Sequence, residues 1–195
     1  MKVKKKIGLF FGSFNPIHIG HLIIANSMLE SGGLDKVWFV VTPHNPLKSS
    51  KSLLHDFDRL DLVQAAISDN YKFEVSDVEF HLPKPSYTAY TLTHLSEKNP
   101  EKEFILIIGE DNLKNLTKWK NYSQILENYQ LYVYPRPQVT KSDLSRHHNV
   151  KMVEAPLLNI SATFIRKLIR DNKSIRYLVP EPVEQMIKAK GFYLA

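Results

Sequence analysis

The chain has 195 residues, enough to bury one substantial core and build a wide sheet, so a single domain is expected. Its formal net charge of +6 suits an anionic partner, and charge alone leaves nucleic acid, an acidic membrane surface and a phosphorylated small molecule all open. Cysteine is absent, which excludes disulfides and thiolate metal sites and fits a reducing, cytoplasmic compartment.

The start, MKVKKKIGLFFGSF, joins a basic head to a short apolar run that soon meets Asn15, Pro16 and His18. It reads as a first strand, not a signal peptide. No stretch approaches the roughly 18 apolar residues of a membrane span, so a soluble protein is expected. Further along, the runs VWFVVT (37–42), FILIIG (104–109) and LYVYP (131–135) join IGLFFG (7–12) in carrying branched and aromatic residues on both faces, as buried parallel strands require. A shorter strand is expected over FEVSDVEF (73–80). Helical spacing follows the first strand (Leu22, Ile23, Ala25, Asn26, Leu29), follows the second (Leu60, Leu62, Val63, Ala66, Ile67) and precedes FILIIG (Tyr90, Leu92, Leu95).

The polar segments 42–54 and 135–149 read as loops. The tail from Ile160 reads as two helices packed on the rest, the second with Pro180 and Pro182 near its start and Gly191 as its stop. This alternation of strand and helix specifies an α/β fold, a Rossmann-like, doubly wound parallel sheet with helices on both faces, which binds ligands at the carboxyl ends of its strands.

One such end reads GSFNPIHIGH, from Gly12 to His21. Gly12 lets backbone amides approach a phosphate with no side chain in the way, Pro16 stiffens the turn, and Gly20 sits at the helix entry. If the helix begins near Ile19, His18 and His21 share one side of its first turn, beside its positive end. Zinc wants four ligands and no third one is spaced nearby, so an anion site is the better reading than a metal site.

The stretch closely resembles the G-T/S-F-D/N-P-x-H-x-G-H signature of the nucleotidylyltransferase superfamily. The string HIGH also occurs in class I aminoacyl-tRNA synthetases, but this chain is too short for one and has no KMSKS string. A second stretch, NISATFIRKLIR (159–170), opens with Ser161 as a good N-cap and an apolar stripe of Ile165, Leu168 and Ile169. It resembles the superfamily's I-S-S/A-T-x-I-R motif, with Ala162 where many members carry a second serine.

The resemblance implies an ATP site of Gly12, Ser13, Phe14, Gly20, Gly109, Asp111, Ile160, Ser161 and Thr163. It also implies catalytic roles for His18, His21 and Arg166 on the phosphates, with Mg²⁺ carried by ATP. Adenylyl transfer asks for alignment and charge neutralisation more than for a covalent nucleophile, so these residue types suffice.

The middle of the chain resembles the bacterial nicotinate-nucleotide adenylyltransferases. TPHNPLK (42–48) is similar to their P-x-x-P-H-K loop, with Leu47 replacing the histidine and Lys48 retained. SYTAYTL (86–92), IIGEDNLKNLTKWKNY (107–122), YPRP (134–137) and RYLVPEPV (176–183) also match. The implied acceptor is nicotinate mononucleotide, contacted by Asn15, Lys48, Tyr87, Thr88, Trp119 and Arg136; whether the chain forms a homo-oligomer is left open. Arg166 and the Trp119 segment argue against the pantetheine-phosphate branch. A nucleotide-sensing or nucleic-acid-binding module without turnover needs aromatics interleaved with Lys and Arg on one sheet face, and no such face is read here.

Overall fold

The computed structural model describes residues 3–43, 53–137 and 139–194. Six parallel strands are β1 (Lys5–Gly12), β2 (Lys36–Val41), β3 (Phe73–Ser76), β4 (Lys102–Gly109), β5 (Gln130–Tyr134) and β6 (Val150–Met152), in the spatial order 3-2-1-4-5-6. Alternate residues of each strand serve different layers. Phe10, Phe39, Ile105, Ile107, Tyr132 and Tyr134 face one core, and Ile7, Leu9, Val40, Leu106, Ile108, Leu131 and Val133 face the other. Burial on both faces is why these strands read as continuous apolar runs.

The first core is covered by α1 (Ile19–Glu30), α2 (Asp56–Ile67), α6 (Ala162–Arg170) and α7 (Glu181–Lys190). The second is covered by α3 (Thr88–Lys98), α4 (Glu110–Lys114) and α5 (Tyr122–Asn128). The chain therefore changes sides after β3, and the crevice left by that change opens between β1 and β4, at their carboxyl ends. Gly8, in mid-β1, belongs to the first layer's packing: a Cβ there would meet the Leu34 and Ile107 side chains.

Two expectations need correction. The strand expected over 73–80 ends at Ser76, where the Ser76 hydroxyl accepts from the Val78 backbone N–H and the chain turns into a 3₁₀ segment, Val78–Phe80. β6 lies just past the segment read as a loop, where no strand was expected; it is a three-residue edge strand with too little apolar sequence to announce itself. The tail follows expectation, with Pro182 in the first turn of α7 and Gly191 closing it at φ 62°.

Candidate active site

The turn after β1 is shaped by what packs under it. Gly12 is glycine because the Phe14 ring lies where its Cβ would be, and Phe14 itself holds a left-handed φ of 43° with its ring buried. α1 then begins at Ile19, with His18 as its N-cap residue. The two imidazoles stack, their centroids 3.7 Å apart, and Gly20 is the residue that makes room: a Cβ there would press within 3.0 Å of His18 Nδ1.

The backbone N–H of His18 donates to His21 Nδ1 (3.2 Å), which leaves Nε2 to carry the proton of a neutral His21 ring. Phe14 packs edge-on against that ring. Burial, helped by the Arg136 charge, lowers His18 from its usual 6.5 to about 4, so the ring is a neutral donor at physiological pH; its buried Nδ1 has no hydrogen-bond partner among the described residues.

Facing the pair across the crevice is the start of α6. Ser161 caps that helix, accepting from the Phe164 N–H as its sequence position suggests. Arg166, one turn in, does not point away into solvent. Its guanidinium donates to the Asn15 carbonyl (2.7 Å) and to the Thr163 hydroxyl (3.3 Å). Together these residues line a cleft of about 450 Å³ that contains Gly12, Ser13, Phe14, Asn15, His18, Gly20, His21, Ile160, Ser161, Thr163 and Arg166.

Arg136, expected at the acceptor, lines this cleft too. It contacts Asp111 Oδ1 through Nε at 3.4 Å and donates to the Tyr134 hydroxyl at the same distance. Gly109 permits that approach, since a Cβ on it would strike Asp111.

A second chamber of about 360 Å³ adjoins the first. Thr42, Glu79, Ser86, Tyr87, Thr88, Lys118, Trp119 and Lys120 line it, and it shares Phe10, Phe11, Gly12, Ser13, Asn112 and Tyr134 with its neighbour. Trp119 is half-buried, with one side against the second core, and Thr88 opens α3. The structure thus brings Tyr87, Thr88 and Trp119 together and sets Asn15 and Arg136 in the other chamber. Leu47 and Lys48 lie outside the described residues.

Sequence reasoning missed Arg59. This side chain is 0% exposed, and all its donors are used: Nε to the Leu54 carbonyl, Nη1 to the Ser13 and Thr42 carbonyls, Nη2 to the Pro43 carbonyl and Asp56 Oδ1. It ties the turn after β1 to the end of β2 and to the entry of α2. Its sequence neighbours, Asp58 and Leu60, suggest only an exposed charge on an amphipathic helix. Asn112 and Tyr134, shared by both chambers, were also missed, although their places beside Asp111 and Arg136 were a signal.

Residues 9–168 match the family model described as cytidylyltransferase-like. A relative from Cytophaga hutchinsonii, named a probable nicotinate-nucleotide adenylyltransferase, is 61% identical over 188 residues that span 96% of this chain and 98% of its own. A relative of the same name from Flavobacterium psychrophilum is 54% identical over 190 residues, again covering 96% and 98%. The solved Plasmodium falciparum nicotinic acid mononucleotide adenylyltransferase, complexed with NaAD, superposes with a TM-score of 0.82 over 97% of each chain at 19% identity, a likeness of fold. The chain belongs to the nicotinate-nucleotide adenylyltransferase family, within the cytidylyltransferase-like group.

Proposed function

We propose that this protein transfers the adenylyl group of ATP to nicotinate mononucleotide, giving nicotinate adenine dinucleotide and pyrophosphate. The observation that carries the reading is the pairing of two chambers across one wall: one holds the stacked His18 and His21 opposite Arg166, the other holds Trp119, Tyr87 and Thr88. The first chamber suits a triphosphate and the second a flat ring.

In the reaction, an oxygen of the acceptor phosphate attacks the α-phosphorus of ATP in line. The new P–O bond forms as the bond to the β-phosphate oxygen breaks, and the electron pair leaves with pyrophosphate. His18 and His21 donate hydrogen bonds to phosphate oxygens, His18 from a ring that burial keeps neutral, and Arg166 stabilises the negative charge gathering on the leaving group. Asn15 holds Arg166 in place through its carbonyl.

The imidazoles and guanidiniums of the first chamber offer nitrogen where a hard cation such as Mg²⁺ takes oxygen ligands, and no group of three or more His, Asp or Glu side chains converges among the described residues. A divalent cation, Mg²⁺ in our reading, would therefore come with the triphosphate as part of the substrate, where it would neutralise charge. A coupled pyrophosphate assay with Mg-ATP and each of nicotinate mononucleotide, nicotinamide mononucleotide and phosphopantetheine tests the assignment. Fastest release with the nicotinate acceptor is expected, and release with phosphopantetheine alone overturns the reading.

A further inference from the structure

We propose that Tyr193, in the hook that follows α7, is a positioning residue that holds Arg166 in its working orientation, an inference that rests on the role given to Arg166 above. α7 stops at Gly191, and the Phe192 N–H turns back to the Ile187 carbonyl at 3.0 Å. One residue on, Tyr193 holds a left-handed φ of 66°, which a tyrosine rarely adopts. Its ring is buried in the first core, in the same apolar cluster as Phe14, Ile17 and the α6 residues Ile165 and Ile169. Lys190 ties the last turn of α7 to α2, the helix of Arg59, reaching Asp58 at 3.1 Å and Asp61 at 3.5 Å. The chain thus accepts an unfavourable backbone conformation and still carries a polar hydroxyl into the interior.

That hydroxyl lies within electrostatic reach of the two arginines that grip the turn after β1. Burial raises its pKa, while the charges of Arg166 and Arg59 pull it the other way. Arg59 has no nitrogen left to offer, since all three already donate. Arg166 has one. Its Nη1 donates to the Asn15 carbonyl and its Nη2 to the Thr163 hydroxyl, but its Nε is buried with no partner among the described residues, and the Tyr193 hydroxyl is buried and unpartnered as well. A buried donor and a buried acceptor left unpaired are each unfavourable, and both are satisfied when they meet. As a triphosphate draws the Nη groups towards its oxygens, Nε turns onto the Tyr193 oxygen and the guanidinium is pinned from behind. The Arg170 charge on the same helix works against the charge of Arg166, and an oxygen accepting at Nε offsets part of that repulsion.

The test is a double-mutant cycle of Tyr193→Phe and Arg166→Ala, read by pyrophosphate release and by urea denaturation without nucleotide. Tyr193→Phe keeps the buried ring and removes only a hydroxyl that lacks a partner, so its urea midpoint should equal or exceed that of wild type. Its kcat should nonetheless fall about ten-fold, the worth of one hydrogen bond to a charged group, with the mononucleotide KM unchanged. In the Arg166→Ala background the same change should alter kcat by no more than about two-fold, because the group it positions is gone. Equal losses of kcat in both backgrounds, an unchanged kcat in Tyr193→Phe alone, or a lowered urea midpoint overturns the proposal and leaves the reaction assignment standing. A wild-type protein that releases no pyrophosphate from Mg-ATP with any of the acceptors overturns that assignment and this proposal with it.

Discussion

At His18, burial and the nearby Arg136 hold the imidazole near pKa 4, well below the 6.5 it has when exposed. Between those two values the unfolded chain binds a proton that the folded chain refuses, so stability rises with pH across that window and is lost as pH falls from about 6.5 towards 4. The span corresponds to a contribution on the order of 3 kcal/mol. Urea denaturation of wild type and His18→Asn at pH 4.5, 5.5 and 7 should show the wild type losing stability more steeply towards low pH than the variant. Parallel curves would mean that His18 takes up its proton in the folded protein as readily as in the unfolded chain. The same neutrality matters for chemistry, since a neutral donor can serve an ATP phosphate over a wide pH range without titrating away.

At the scale of elements, the site is assembled by loops that touch through Arg59. One guanidinium satisfies four carbonyls, those of Ser13, Thr42, Pro43 and Leu54, so removing it leaves several buried acceptors bare and Asp56 without its partner. Arg59→Met should cost on the order of 3 kcal/mol of stability by denaturant unfolding. Arg59→Lys, which keeps the charge but not the fork, should fold more stably than the Met variant and still show a raised KM for ATP, because the turn carrying Ser13 loses its anchor.

None of this was legible in the chain. Helical spacing placed Arg59 on α2, but its burial comes from carbonyls up to 46 positions away, which no local pattern encodes. His18, His21 and Ser161 were legible because each sits at a helix start, where residue type and position have a local physical meaning, whereas Arg166 entered only through the family resemblance, its spacing alone suggesting a side chain turned to solvent. The strands β1, β2, β4 and β5 were legible for a related reason: burial on both faces writes itself as an unbroken apolar run. β6, at the sheet edge with Lys151 and Met152 exposed, had no such signature.

For the whole molecule, the sheet order places both chambers at one topological switch, and the division of residues between them separates the kinetic consequences of mutation. Trp119 lines only the second chamber and Arg166 only the first. Trp119→Ala should raise KM for the mononucleotide about ten-fold, the worth of one lost stacking face, with little change in KM for ATP. Arg166→Ala should leave the mononucleotide KM near wild type and lower kcat by about a hundred-fold or more, because in the proposed mechanism it removes the charge that meets the departing pyrophosphate. Steady-state kinetics with each substrate varied in turn would separate the two patterns. A rise in both Michaelis constants for either variant would contradict the division.

The shared wall of Phe10, Phe11, Gly12, Ser13, Asn112 and Tyr134 also bears on how turnover ends. Two substrates entering adjoining rooms each surrender their own freedom of tumbling, whereas the dinucleotide they become surrenders it once and keeps the grip of both rooms. On this reading the product is a natural bidentate inhibitor of its own synthesis, and the fold that brings the reactants together also delays the parting of what they make.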